Sequence, residues 1–162
     1  MPDHPHGALL FGSFGDRWAP FTGPILVKYG LERILFRLSR SRHRDDLILK
    51  GALLFELWTE RRYRPIRDAD FLGRGDNSPD RFARIFRELC VLEVDEDGLR
   101  FDAETVEAER ISEDADYKGV RVTLLAYLER AKIPIQIDIG FGDIVTPAPS
   151  EIGYPTLLRR GR

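Results

Sequence analysis

The stretch VRVTLLAYLERAKIPIQIDIGF, residues 120–141, decides the fold. In its first half Val120, Val122, Leu124, Ala126 and Leu128 recur at every second position, the period of a strand with one buried face. The second half, IPIQIDIGF, alternates again, this time with isoleucines. Arg130, Ala131 and Lys132 separate the two runs and read as a turn, so an antiparallel hairpin is expected. One residue is out of place. Asp138 stands between Ile137 and Ile139, and a carboxylate on so apolar a strand costs free energy unless it is paired or holds a metal ion. A salt bridge to a neighbouring arginine satisfies it as well as a metal does.

Upstream, YRPIRDADFLG (63–73) carries Asp68 and Asp70 at alternate positions among Ile66, Phe71 and Leu72. On a strand spanning 66–72 the two carboxylates would project to one side and repel. A hard divalent cation such as Mg²⁺ relieves that repulsion by taking oxygens from both. The pair alone is a weak signal, and a solvated strand edge explains it too. If this strand lies beside the Asp138 strand, three carboxylates converge, an arrangement suited to moving a phosphoryl or nucleotidyl group. Asp143, in GFGD, reads as a turn or capping residue.

A third segment, LILKGALLFELW (47–58), reads as a short strand, a glycine break and a helix. Gly51 lets the backbone approach a phosphate, Lys50 before it can reach phosphate oxygens, and the helix start presents N–H groups. By itself such a junction means only a tight turn. LLFGSFGD (9–16) looks like the glycine-serine turn of small nucleotidyltransferases, but RWAPFTGPIL follows it with no acidic pair, so Gly12 and Ser13 are placed in a leader.

Residues 1–30 hold four prolines and five glycines without sustained periodicity, which predicts a loose leader over 1–25. Leu31, Ile34, Leu35 and Leu38 then mark an amphipathic helix. Ser78 is placed to cap another helix, with Pro79 at its first position, Asp80 in its first turn, and Phe82, Ile85, Phe86 and Leu89 on its core face. The order helix, strand, helix, strand, helix, strand, strand predicts an α+β domain over 26–158, with a short tail at 159–162.

The 162-residue length suits one domain with a real core. No apolar run approaches the roughly 18–20 residues of a membrane span, and residues 1–15 lack the Lys or Arg of a signal peptide. Cys90 is the single cysteine, which excludes an internal disulfide and a thiolate zinc cluster; it reads as a core residue. A cytoplasmic protein with no membrane partner is expected. The net charge of −2 conceals a segment, Glu93 to Asp116, with eleven acidic residues against Arg100 and Arg110. That segment reads as a solvated outer face, and the rest of the chain is basic enough to attract polyphosphate or nucleic acid.

YGLERILFRLSRS (29–41), LILKGALLFELW (47–58), YRPIRDADFLG (63–73) and IPIQIDIGFGDIVTP (133–147) together resemble the AbiEii-type nucleotidyltransferase toxins of bacterial toxin–antitoxin systems, in order, spacing and flanking residues. The resemblance implies a polymerase-β-like nucleotidyltransferase fold, a mixed or antiparallel sheet flanked by helices. It implies Mg²⁺ and a nucleoside triphosphate donor, an acceptor such as tRNA, and a cognate antitoxin protein as partner. By the same resemblance Asp68, Asp70 and Asp138 are the catalytic, metal-holding carboxylates, and Lys50, Gly51, Ala52, Arg64 and Arg67 contact the nucleotide. Two positions depart from the usual pattern: Ala52 where Gly or Ser is common, and Ile66 where Thr is common. Family members also carry a later lysine and aspartate beyond the segment matching YPTLL (154–158), and RRGR here offers no counterpart. The alternative to an active transferase is therefore a catalytically incomplete nucleotidyltransferase-like module that binds antitoxin, nucleotide or RNA without turnover.

Overall fold

The computed structural model describes residues 6–55, 66–114, 117–142 and 150–153. Its elements in chain order are α1 (His6–Arg40), β1 (Leu47–Lys50), α2 (Ala52–Phe55), β2 (Ala69–Gly73), α3 (Pro79–Val91), β3 (Leu99–Asp114), β4 (Tyr117–Leu128) and β5 (Ala131–Gly140). The strands form one mixed sheet in the order β1-β2-β5-β4-β3. Only the β2–β5 pair is parallel; the other three are antiparallel.

The hairpin forms as the alternation requires, with Val120, Val122, Leu124 and Ala126 buried from β4 and Ile133, Ile135, Ile137 and Ile139 buried from β5. Its turn is tighter than the sequence suggests. Leu128 pairs with Ala131, so Glu129 and Arg130 make a two-residue loop, with Glu129 in the left-handed region at φ 55°. Ala131 and Lys132, placed in the turn from sequence, belong to β5. A loop shorter by one residue and starting one residue earlier moves the register by three residues, which decides which side chain faces Asp138.

The segment read as a solvated acidic face contains a strand that the sequence reading missed. β3 lies at the edge of the sheet opposite β1, and Leu99, Phe101 and Val106 are buried while Glu104, Glu107 and Glu109 are exposed. Glutamate is disfavoured in strands, and the register shift between Asp102 and Glu107 breaks the period of two. Both features hide the strand in the sequence.

α3 behaves as read: the Ser78 hydroxyl accepts from the Arg81 N–H, Pro79 opens the helix, and Phe82, Ile85, Phe86 and Leu89 are buried. α3 packs on β3 and β4 and α1 on β5, closing the apolar face of the sheet. Cys90 packs partly buried against this core, and burial pushes its thiol up to about 12, which keeps it protonated and unreactive. α1 departs from expectation. Its helical backbone begins at His6, through the segment predicted to be a loose leader and through the likeness to a glycine-serine turn at 9–16. The prolines and glycines there suppress the periodic signal in the sequence, and from Leu31 onward the helix shows a buried stripe, Leu31, Ile34 and Leu38.

A buried ionic cluster fixes α1 to the start of β3. Arg33 and Arg37 converge on Asp97, each at 2.8 Å, and the Tyr29 hydroxyl donates to the Asp97 carbonyl at 2.6 Å. Arg37 also lies over the Phe101 ring, 4.4 Å from its centroid. The described residues include no helix long and apolar enough to cross a membrane.

Candidate functional site

The face of the sheet opposite the core carries a row of directly opposed charged residues that crosses all five strands. Lys50 pairs with Asp70, Asp70 with Asp138, Asp138 with Arg121, and Arg121 with Glu109. Directly opposed residues share a face, so the row is Lys50, Asp70, Asp138, Arg121, Glu109. Two aspartates stand side by side at its centre. Like charges in that relation destabilise a sheet, so this is a place where the fold tolerates a local cost.

Asp68 completes the group from outside the strand. β2 begins at Ala69, so the strand expected over 66–72 is shorter, and Asp68 lies in the segment leading into it. Carboxylate oxygens of Asp68, Asp70 and Asp138 nonetheless all lie within 4.8 Å of one another, each residue partly buried. At an effective dielectric near 20, charges at that separation repel by about 3 kcal/mol per pair. Oxygens ligating a single Mg²⁺ at about 2.1 Å stand roughly 3–4 Å apart, so small side-chain rotations would close the three onto one ion. The donor set is all oxygen and anionic. It fits a hard divalent cation.

The salt bridge foreseen as the other way to satisfy Asp138 is also present. Arg121 donates from Nε to Oδ1 at 2.8 Å and from Nη2 to Oδ2 at 3.1 Å. That hydrogen bonding raises the Arg121 guanidinium above its ordinary value; burial acts against it, and the charges of Asp138, Glu109 and Asp68 add to the rise. Arg121 is the residue that sequence reasoning missed. The signal was available. Counting back seven pairs from Leu128–Ala131 puts Arg121 opposite Asp138, whereas a turn at Arg130–Lys132 puts Leu124 there.

Gly51 connects the site to β1. Its φ of +74° suits glycine, and a Cβ on it would lie 2.5 Å from the Asp70 Oδ2. The glycine is therefore needed for the approach of Asp70 as well as for the turn. Lys50 is half-buried, Ala52 and Arg67 are exposed, and Arg67 immediately precedes Asp68. Arg64 and Asp143 lie outside the described residues, as does the remainder of the helix expected after Phe55.

Beside the carboxylates a cleft of about 1010 Å³ opens along β4 and β5. Arg67, Thr123, Gln136, Leu125 and Pro134 line it together with Glu104 and Glu107 of β3, with Val27 of α1 and Ile66 at its wall; the three carboxylates lie next to this lining and are not part of it. Gln136 is two residues from Asp138 and Thr123 two from Arg121, so the cleft floor continues the charged row by one further row of the same face.

The sequence profile of the nucleotidyl transferase AbiEii toxins of type IV toxin–antitoxin systems matches residues 33–161. The chain belongs to this family. AbiEii membership covers every strand of the sheet and all three carboxylates. No curated protein matches the chain. Among solved structures, the crystal structure of JHP933 from Helicobacter pylori is similar at 15% identity and a TM-score of 0.45. The similarity covers 79% of this chain and 46% of that one, so the AbiEii chain spans about half the length of JHP933.

Proposed function

We propose that this chain is a Mg²⁺-dependent nucleotidyltransferase of the polymerase-β-like fold, the toxin of a toxin–antitoxin pair, transferring a nucleotide from a nucleoside triphosphate to an acceptor such as tRNA. The observation that carries the proposal is the convergence of Asp68, Asp70 and Asp138 within 4.8 Å on an otherwise ordered sheet, in a chain of the AbiEii family.

In this reading the three carboxylates hold the metal. Mg²⁺ bound there supplies Lewis-acid stabilisation of charge developing on the transferred phosphate and the pyrophosphate leaving group. The chain's own groups bind and orient. Lys50, at the end of β1, and Arg67, beside Asp68, are placed to neutralise phosphate oxygens, and Gly51 and Ala52 leave backbone exposed at the same edge. Arg64 joins them by its position in the motif. The cleft floored by Thr123, Gln136 and Leu125 has the size range of small-ligand sites and offers an apolar wall with amide and hydroxyl groups, which suits a nucleoside. Labelled nucleoside triphosphates incubated singly with total tRNA, with Asp70→Ala as control, test the activity: transfer of label by the native chain alone supports it, and no labelled RNA with any triphosphate removes it.

The Arg121–Asp138 ion pair favours a second reading, a module that binds nucleotide, RNA or antitoxin without turnover, because a carboxylate already paired with a guanidinium needs no metal. Calorimetry separates the two: the binding module gives heats of binding with no product formed.

A further inference from the structure

Arg121 belongs to the charged row, yet the proposed function assigns it nothing. It sits centrally, between Asp138 on one strand and Glu109 on the other. Its fork engages both oxygens of Asp138, at 2.8 and 3.1 Å. Each carboxylate oxygen has two lone-pair directions, so the guanidinium takes one on each and leaves the others open. Asp138 is thereby held in one orientation with its charge largely matched before any metal arrives.

We propose that Arg121 is a positioning residue that keeps Asp138 in reserve: the protein without nucleotide takes one divalent cation, through Asp68 and Asp70, and Asp138 engages only when a second cation arrives with the triphosphate. The inference rests on reading the three carboxylates as a metal centre. Charge balance argues for it. Asp68 and the row of Lys50, Asp70, Asp138, Arg121 and Glu109 carry a formal net charge of −2, which one dication already cancels. Two dications without phosphate would leave a formal charge of +2 there, and the polyanionic triphosphate is the natural partner that removes this excess. Geometry argues the same way. An arginine fork is planar and preorganised for a carboxylate, so a metal at Asp138 has to compete with it for the same group, whereas Asp68 offers its carboxylate outside the row of paired strands.

Mn²⁺ titration of the full chain without nucleotide, followed by the electron paramagnetic resonance signal of free Mn²⁺, tests this. The native protein is expected to bind one Mn²⁺; Asp70→Asn abolishes it, while Asp138→Asn keeps the single ion and weakens it only by the roughly tenfold that a nearby unit charge is worth through space. Arg121→Gln tightens Mn²⁺ about tenfold or admits a second ion, since a unit charge about 6 Å from a dication is worth that factor even at the dielectric of water. Arg121→Lys, which keeps the charge, stays near the native affinity, and Arg121→Gln combined with Asp138→Asn, which removes two opposite charges together, returns the affinity to near native and admits no second ion. A non-hydrolysable triphosphate raises the native stoichiometry to two. Two Mn²⁺ on the native protein without nucleotide, both lost in Asp70→Asn, overturn the role of Arg121 and leave the metal centre standing. An Arg121→Gln affinity equal to the native one does the same. Absence of Mn²⁺ binding from the native protein and every variant overturns the metal centre and this inference with it. If Arg121→Gln does not fold, the native stoichiometry and the Asp138→Asn affinity decide the matter alone.

Discussion

Asp70 and Asp138 stand directly opposite one another across the parallel β2–β5 pair, two carboxylates in the register position where a sheet ordinarily places complementary groups. Their surroundings differ. Asp138 is gripped by Arg121, so removing its charge strands a half-buried guanidinium, while Asp70 lies between the opposite charge of Lys50 and the like charges of Asp138 and Asp68, which offset one another. Unequal stability effects follow. Asp70→Asn should change the melting temperature little, while Asp138→Asn should cost about 1–3 kcal/mol. Both are expected to lower nucleotide transfer by about a hundredfold or more. Thermal denaturation read alongside transfer assays checks the pair, and an Asp70→Asn protein that melts several degrees lower would contradict the reading.

Gly51 and Gly142 form a natural comparison. Both have positive φ, at +74° and +86°, but a Cβ at Gly51 strikes the Asp70 carboxylate whereas one at Gly142 meets nothing within 4 Å. Each Gly→Ala change carries the left-handed penalty of about 1–2 kcal/mol. Only Gly51→Ala should also displace Asp70, weakening Mn²⁺ binding about tenfold or more through misplacement of one ligand. Equal metal affinities in the two variants would show that the Gly51 contact yields without moving Asp70.

The proposed contact of Arg67 with phosphate is open to test. It is exposed and supports no described element, so Arg67→Ala should leave stability within about 0.5 kcal/mol of native. Losing a charged donor to a phosphate should raise the KM for the triphosphate about tenfold with a smaller change in kcat. Steady-state kinetics across triphosphate concentrations distinguish this from a variant that lowers kcat alone.

What the sequence makes legible is what periodicity and local chemistry encode. The β4–β5 hairpin follows from alternation, the α3 cap from Ser78–Pro79, and the approach of Asp68 and Asp70 to Asp138 from the oddity of acids on apolar strands. Two losses have physical causes. β3 escapes because its exposed glutamates and its bulge erase the strand signature, its partners being supplied by β4 and α3 rather than by its own composition. Arg121 escapes because its role depends on register, and register depends on a turn whose length differs by one residue between two reasonable readings. Propensity locates strands. It does not align them.

The last prediction concerns the clamp that carries α1. Asp97 is almost fully buried, its side chain 2% exposed, and receives Arg33 and Arg37 together with the Leu99 N–H. Burial alone would raise its carboxyl, but hydrogen bonds from Arg37 and Arg33 outweigh it and hold the group below its ordinary value. A carboxyl whose folded value lies below the unfolded one, 3.8, stabilises fully above that unfolded value and loses the contribution as pH falls through the lower folded value. Urea denaturation at about pH 7 and about pH 3 should therefore show a loss of stability to which Asp97 contributes. Asp97→Asn removes that contribution to the pH dependence and leaves two buried guanidiniums facing an uncharged amide, with Arg33 Nη2 and Arg37 Nε already lacking hydrogen-bond partners. A loss of about 3 kcal/mol or more at neutral pH is expected from breaking a buried ion pair on one side. A variant as stable as the native protein, with the same acid sensitivity, would mean that α1 is held by its apolar stripe of Leu31, Ile34 and Leu38 alone.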